Sequence, residues 1–218
     1  GDELYSVFRL LLPALDKERD VYRMKETALA KVITRAMGLV AENPQTQRIL
    51  NWRHGGNGQF TSTVARECKQ LLVQVDQGLT LGDMNKALDE LAMADKEDDR
   101  MKVLRPLVMQ MTAEQVRWLL CIILKDYKVG LGEKLVLDAL HPDAEEIFNV
   151  QCDLRLVCRQ LVANGCYPYN GLQSQRVPKT DLAPGGMVRA HLAMRKDTVE
   201  AAFKMMQRGT SGRGRGGG

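Results

Sequence analysis

Aromatic residues are scarce in this chain, at 5% of the sequence. The apolar weight falls instead on Leu, Val, Ala and Met, residues that favour helices over strands. No run approaches the roughly 18 consecutive apolar residues that a membrane span requires. No basic segment followed by an apolar one opens the chain, so no signal peptide is expected. The first residue is Gly1 rather than Met, and the sequence reads as a fragment of a longer protein. The five cysteines (Cys68, Cys121, Cys152, Cys158 and Cys166) form no C-x-x-C pair, and the three histidines stand far apart. This spacing suits neither a zinc site nor a disulfide framework. Most of these cysteines fall in helix-like apolar patterns and read as small buried hydrophobes in a reducing compartment. The signatures G-x-x-x-x-G-K-[ST], G-x-G-x-x-G, H-E-x-x-H and G-x-S-x-G are also missing, so no catalytic and no metal-binding residue is assigned. Glu145-Glu146 reads as an ordinary solvated helix face.

What is present is helical periodicity. The 218 residues, 44% of them hydrophobic, suffice for one or two domains with a sizeable core. Helices are expected over Glu3–Leu12, ended by Pro13, and over Met24–Leu39, with Gly38 near the end. Asn43-Pro44 opens a short one, as cap and first residue. Others are expected over Phe60–Val75, from a Thr80 cap through Ala94, over Met101–Met111 with a kink or break at Pro106, and from Thr112 to Lys125. The Thr112/Gln115 spacing is a capping box. The Thr112 helix is apolar on nearly every side and belongs at the centre of a core. The charged stretch Asp95–Arg100 reads as a solvated turn. Glu133–Leu140 follows, then one long helix from Pro142 with the seam Ile147, Val150, Leu154, Val157, Cys158 and Leu161. The expected fold class is all-α, an irregular multi-helix bundle with an extended, partly disordered C-terminal segment. Its parts are a helical domain over 1–164, a linker over 165–186, a further helical segment over 187–208 containing a helix from Asp197 to Gln207, and a Gly/Arg-rich tail over 209–218.

The net charge of +4 is unevenly spread: Arg176 to Gly218 holds nine Lys/Arg against three Asp/Glu, which leaves the preceding body at −2. Composition alone therefore shows no basic face on the helical body. Three local stretches are candidates. Lys125 to Lys134 joins two helices through Gly130 and Gly132, with Lys125, Lys128 and Lys134 around the turn. Glycines permit close backbone approach, and the next helix offers N–H groups and a positive dipole end to a phosphate. The same stretch also reads as a plain helix–helix turn with exposed lysines. Lys25, Lys31 and Arg35 form a second candidate, Lys31 and Arg35 sharing a helix face; solvated charge is again the alternative. In the third, Arg53 beside a glycine loop is placed to reach a nucleic-acid backbone, while Trp52 reads as a core anchor.

Several of these stretches, in order, resemble the DNA-binding domain of ATP-dependent DNA ligases of the ligase IV type. They are Arg9 to Arg19 with Tyr22, Lys25-Glu26 and Leu29-Ala30-Lys31; Leu50-Asn-Trp-Arg53; Trp118-Leu119 through Ile123-Leu-Lys-Asp126 into Lys128-Val-Gly-Leu-Gly132; and His141-Pro-Asp-Ala144 with Asp153-Leu154 and Val157-Cys158. The resemblance spans roughly Leu4 to Leu161. It implies that Lys125, Lys128, Gly130, Gly132, Lys134, Lys25, Lys31 and Arg53 contact duplex DNA at a nick or break. Val188 to Met194 is similar to the segment that leads into the family's adenylation domain, so 187–208 is expected to be the start of that domain. Lys179-Thr-Asp181 has only the first half of the family's K-x-D-G motif, because Leu182 replaces the glycine. The resemblance thus implies a fragment without its own cofactor or catalysis. Its parent would use ATP and magnesium to seal DNA in non-homologous end joining, in the nucleus, beside a coiled-coil scaffold protein docked through a C-terminal region.

A helical protein-interaction scaffold without DNA binding is the alternative from another class. The ligase reading requires the 125–134 loop, Lys25 and Lys31 on one concave face. The scaffold reading predicts a hydrophobic groove and scattered lysines.

Overall fold

The helices end where local chemistry or packing stops them. The computed structural model describes residues 1–19, 21–54, 58–127 and 132–166, and among these it contains ten helices and no strand. They are α1 (Asp2–Leu11), α2 (Glu26–Ala36), α3 (Pro44–Leu50), α4 (Phe60–Cys68), α5 (Leu81–Met93), α6 (Glu97–Val108), α7 (Ala113–Leu124), α8 (Glu133–Leu140), α9 (Ala144–Gln151) and α10 (Leu154–Ala163). The fold is all-α, as expected. The helix anticipated from Asp197 to Gln207, the Lys179-Thr-Asp181 run and the Gly/Arg-rich tail lie outside the described residues.

Side-chain caps set several boundaries. The Asn43 carboxamide oxygen accepts from Gln45 N–H, with Pro44 as the first helical residue. Thr80 with Asp83, and Thr112 with Gln115, form reciprocal capping boxes that satisfy two otherwise orphaned N–H groups each. Gly38, at φ 71°, lets the chain reverse after α2, where Leu39 N–H returns to the Thr34 carbonyl.

Three boundaries differ from the sequence reading. α4 stops at Cys68 rather than Val75: the Gln74 amide donates to the carbonyls of Lys69 and Leu72, and Leu72 is buried. The charged stretch before Met101 is not a turn. Glu97, Asp98 and Asp99 form the first turn of α6, where carboxylates meet the positive end of the helix dipole. Pro106 lies inside the last turn of that helix without ending it. The long helix expected from Pro142 is two helices. Cys152 turns left-handed at φ 49°, and the Asp153 carboxylate caps α10 by accepting from the N–H groups of Arg155 and Leu156.

Two hydrophobic cores result. The first gathers α2 through α7, with Leu29, Ile33, Ile49, Phe60, Val64, Leu88, Leu104, Val116, Leu119 and Leu120 almost wholly buried. α7 is its central helix, with six buried residues, as its nearly continuous apolar pattern predicts. The second joins α1 to α8, α9 and α10 through Tyr5, Leu137, Leu140, Phe148, Leu154, Val157 and Leu161. α1 serves both, giving Leu10 to the first core and Leu4 and Tyr5 to the second, and Leu12 just beyond its end joins the second as well.

A buried ionic knot lies beside α1. Asp16, with 1% of its side chain exposed, accepts from Tyr5 OH and from Arg9 Nε, each at 2.9 Å. Arg19, equally buried, donates to Asp89 at 2.7 Å and to the backbone and side-chain oxygens of Asn85 at 2.8 Å. The Asn85 amide returns to the Ser6 carbonyl at 3.0 Å. Buried charges are tolerated only when paired and hydrogen-bonded in this way. All five cysteines are buried and unbridged. Burial pushes the Cys68 and Cys158 thiols up to about 12, far from a thiolate at neutral pH.

Candidate nucleic-acid interface

α2 begins without a side-chain cap. Lys25 takes the cap position in an extended conformation and its side chain, which has no acceptor, makes no capping hydrogen bond, so the cap residue is a cation rather than a carboxylate. Lys31, one turn and a half further on, is exposed on the same helix. At the other wall, α7 ends on Lys125, which adopts φ 54° and ψ 33°, a left-handed cap more usual for glycine. The N–H groups of Lys125 and Asp126 close this turn on the carbonyls of Ile122 and Cys121, each at 3.0 Å.

These elements enclose a groove of about 740 Å³ that Arg23, Lys25, Lys31 and Lys125 line together. Its floor includes Tyr22, Met24 and Ile123, residues of the first core. Glu97 is the one carboxylate among the described residues of the wall, and it accepts from Arg35 at 2.6 Å. Arg35 also donates to Asp98 at 2.8 Å. Hydrogen bonds to Glu97 and Asp98 hold the Arg35 guanidinium above its ordinary pKa, so its charge is committed to α6. Lys25 and Lys31 have no ion-pair partner among the described residues.

A second, smaller groove of about 280 Å³ shares Lys25 and adds Arg53, Phe60 and Asp126. Arg53 donates to Glu26 at 3.0 Å, and its guanidinium lies 5.0 Å from the Trp52 ring. Trp52 packs on Phe60 at 5.8 Å between centroids and is partly buried against the first core, so it is the anchor its sequence context suggests. Lys25 therefore connects Arg53 on one side to Lys31 and Lys125 on the other.

The remaining candidates lie elsewhere or outside view. Gly132 caps α8 at φ −68°, and a side chain there would meet no protein atom within 4 Å, so the fold itself makes no demand for glycine. Lys134 donates to Glu145 at 2.6 Å, a bond that raises its pKa, and it does not line the groove with Lys125. Lys128 and Gly130 lie outside the described residues. Gly132 instead lines a third groove of about 670 Å³, mostly apolar, with Leu11, Trp118, Tyr127 and Lys125. The Trp118 and Tyr127 rings pack there in a tilted arrangement, 5.8 Å between centroids, and the Tyr127 hydroxyl donates to the Leu10 carbonyl. The sequence reading passed over Arg23; its only local signal is the Arg-Met-Lys spacing beside Lys25.

Among the described residues of the groove, four cations from two distant segments stand with one paired carboxylate over an apolar floor. That arrangement suits a string of phosphates more than an uncharged ligand. Among the described residues, no cluster of His, Cys, Asp or Glu fits a metal ion.

The family model described as "DNA ligase N terminus" matches residues 1–141, which include every residue of these grooves. The chain is 37% identical over 223 residues to the "Putative DNA ligase 4" of Oryza sativa subsp. japonica, covering 94% of this chain and 16% of that protein. It is 36% identical over 211 residues to the "DNA ligase 4" of Arabidopsis thaliana, covering 94% of this chain and 17% of that protein. To the "DNA ligase 4" of Phaeosphaeria nodorum it is 35% identical over 171 residues, covering 74% of this chain and 17% of that protein. The chain thus spans about a sixth of the length of these relatives. With the family model matching well over half its length and these relatives along it, the chain belongs to the DNA ligase N-terminal family.

Proposed function

We propose that this chain grips duplex DNA around a strand break as part of a ligase IV-like, ATP-dependent DNA ligase that joins ends in double-strand break repair by non-homologous end joining in the nucleus. The observation that carries this reading is the meeting of Lys25 and Lys31 with Lys125, about a hundred residues away, in one groove. Lysines and the uncapped start of α2 neutralise backbone phosphates without reading bases. Gripping the duplex holds the two ends of a break in line for a reacting centre elsewhere in the whole enzyme. ATP and magnesium serve that centre, and a coiled-coil scaffold protein is the expected companion of the whole enzyme. This chain alone binds without sealing.

The test is binding of a nicked duplex at two salt concentrations, comparing the chain with its Lys25→Ala/Lys31→Ala/Lys125→Ala variant. Three lost phosphate contacts make the dependence of log K on log salt shallower by about 2.7, at about 0.9 for each contact. Lys134→Ala, removing a lysine already paired with Glu145, changes affinity much less. Equal binding by the chain and the triple variant would overturn the reading. A helical scaffold is the second reading, favoured by the apolar groove of Leu11, Trp118 and Tyr127. It takes first place if the chain binds no duplex.

A further inference from the structure

Three non-glycine residues among those described take a left-handed backbone: Arg23 at φ 51°, Lys125 at φ 54° and Cys152 at φ 49°. The conformation crowds Cβ against the following carbonyl and is ordinarily left to glycine. Cys152 is buried at a helix junction. The other two are both cations, and both line the same groove. Strained backbone of this kind gathers at binding sites.

Arg23 adds little that would offset its strain. Its side chain is 70% exposed, and its one ion-pair partner among the described residues, Asp95, is 76% exposed. An exposed pair of this sort holds little energy and is screened by salt. Stability would be served better by glycine at this position, with no arginine at all. What an arginine supplies is a fork of N–H donors that meets phosphate oxygens two at a time. It stands two residues before Lys25 and lines a groove whose other cations, among the described residues, are lysines. Tyr22 and Met24 on either side are buried in the first core, which fixes where Arg23 emerges.

On these grounds we infer that Arg23 is a further phosphate-gripping residue of this groove, tethered to Asp95 until a duplex backbone takes the place of that carboxylate. The exchange makes and breaks no covalent bond, and the guanidinium keeps its proton. Asp95, beyond the end of α5, returns to solvent. The inference rests on the reading of the groove as a DNA grip, and the experiment separates the two.

Nicked-duplex affinity is measured against salt concentration for the full chain, for Arg23→Gly and Arg23→Asn, for Asp95→Asn, and for the Lys25/Lys31/Lys125 triple variant. Glycine and asparagine both accept the left-handed backbone, so both variants keep or raise the melting temperature. Each weakens binding by about three- to tenfold and makes the salt slope shallower by about 0.9, the mark of one lost phosphate contact. Asp95→Asn tightens binding, and most of that gain disappears in the Arg23→Gly background. If the Arg23 variants bind with unchanged affinity and slope while the triple variant is weak, the groove reading stands and this inference is overturned. A lowered melting temperature with an unchanged salt slope assigns Arg23 to the fold and overturns it equally. If the triple variant binds like the unaltered chain, the groove reading falls and takes the inference with it.

Discussion

Glu67 shows how a single side chain is tuned by its neighbours. Burial works to raise its pKa, but hydrogen bonds from Arg48 at 2.6 Å and Arg66 at 3.1 Å outweigh it and hold the carboxyl below its ordinary 4.5. A carboxylate depressed in the folded state contributes stability that is fully present above the unfolded pKa and is lost as pH falls through the folded one. The stability of the chain should therefore decline as pH drops below about 4.5, and Glu67→Gln should flatten that decline. Denaturant midpoints measured from neutral pH downward check this. Parallel curves for the two proteins would show that the Arg48 and Arg66 bonds carry no net energy. The same local logic explains why the lysines of α2 were legible as candidates from sequence. Charge at helical spacing is visible in one dimension. The left-handed turn that presents Arg23 is not, because nothing in Tyr-Arg-Met-Lys specifies φ.

At the scale of helices, legibility follows how local the stopping signal is. Asn43, Thr80 and Thr112 cap through side chains two or three residues away, and their helices begin where the sequence places them. Gly38 is a signal of the same local kind. The ends of α4 and α9 are decided by burial of Leu72 and by a turn at Cys152, and neither is encoded by nearby Gly or Pro. The acidic stretch that opens α6 misleads in the opposite direction, since three acids in sequence resemble a solvated loop yet stabilise a helix start. The junction of α9 and α10 offers a direct check. Asp153 satisfies two N–H groups of α10, so Asp153→Ala should cost about 1 kcal/mol of stability with little change in helical content. Urea unfolding followed by circular dichroism measures both quantities. The site itself was half legible. Each basic stretch could be picked out, and the family resemblance required Lys25, Lys31 and the 125–134 loop on one face; residue spacing alone could not bring Lys125 to Lys25 and Lys31, nor pair Lys134 with Glu145 apart from that groove, because these depend on contacts across the first core and between α8 and α9.

At the scale of the whole molecule, the described residues form two cores and a charged knot beside the helix they share. Asp16 is central to that knot, accepting from Tyr5 and Arg9 while lying within 4.0 Å of Arg19. Removing one partner from a buried charged network leaves the others uncompensated. Asp16→Asn is expected to cost about 3 kcal/mol, read as a lowered urea midpoint, and the loss should be smaller when Arg9 is replaced as well. Additive losses would mean that the knot does not act as a unit.

The cysteines divide along the same line. Cys68 is sealed in the first core, Cys158 and Cys166 in the second, and none is within reach of solvent while its core is closed. A thiol-modifying reagent consequently leaves these three sulfurs untouched until the core that holds them opens, and which of the three it then captures names that core. The chain carries a separate chemical clock for each core, so the order in which the two come apart can be read from the order in which their sulfurs are labelled.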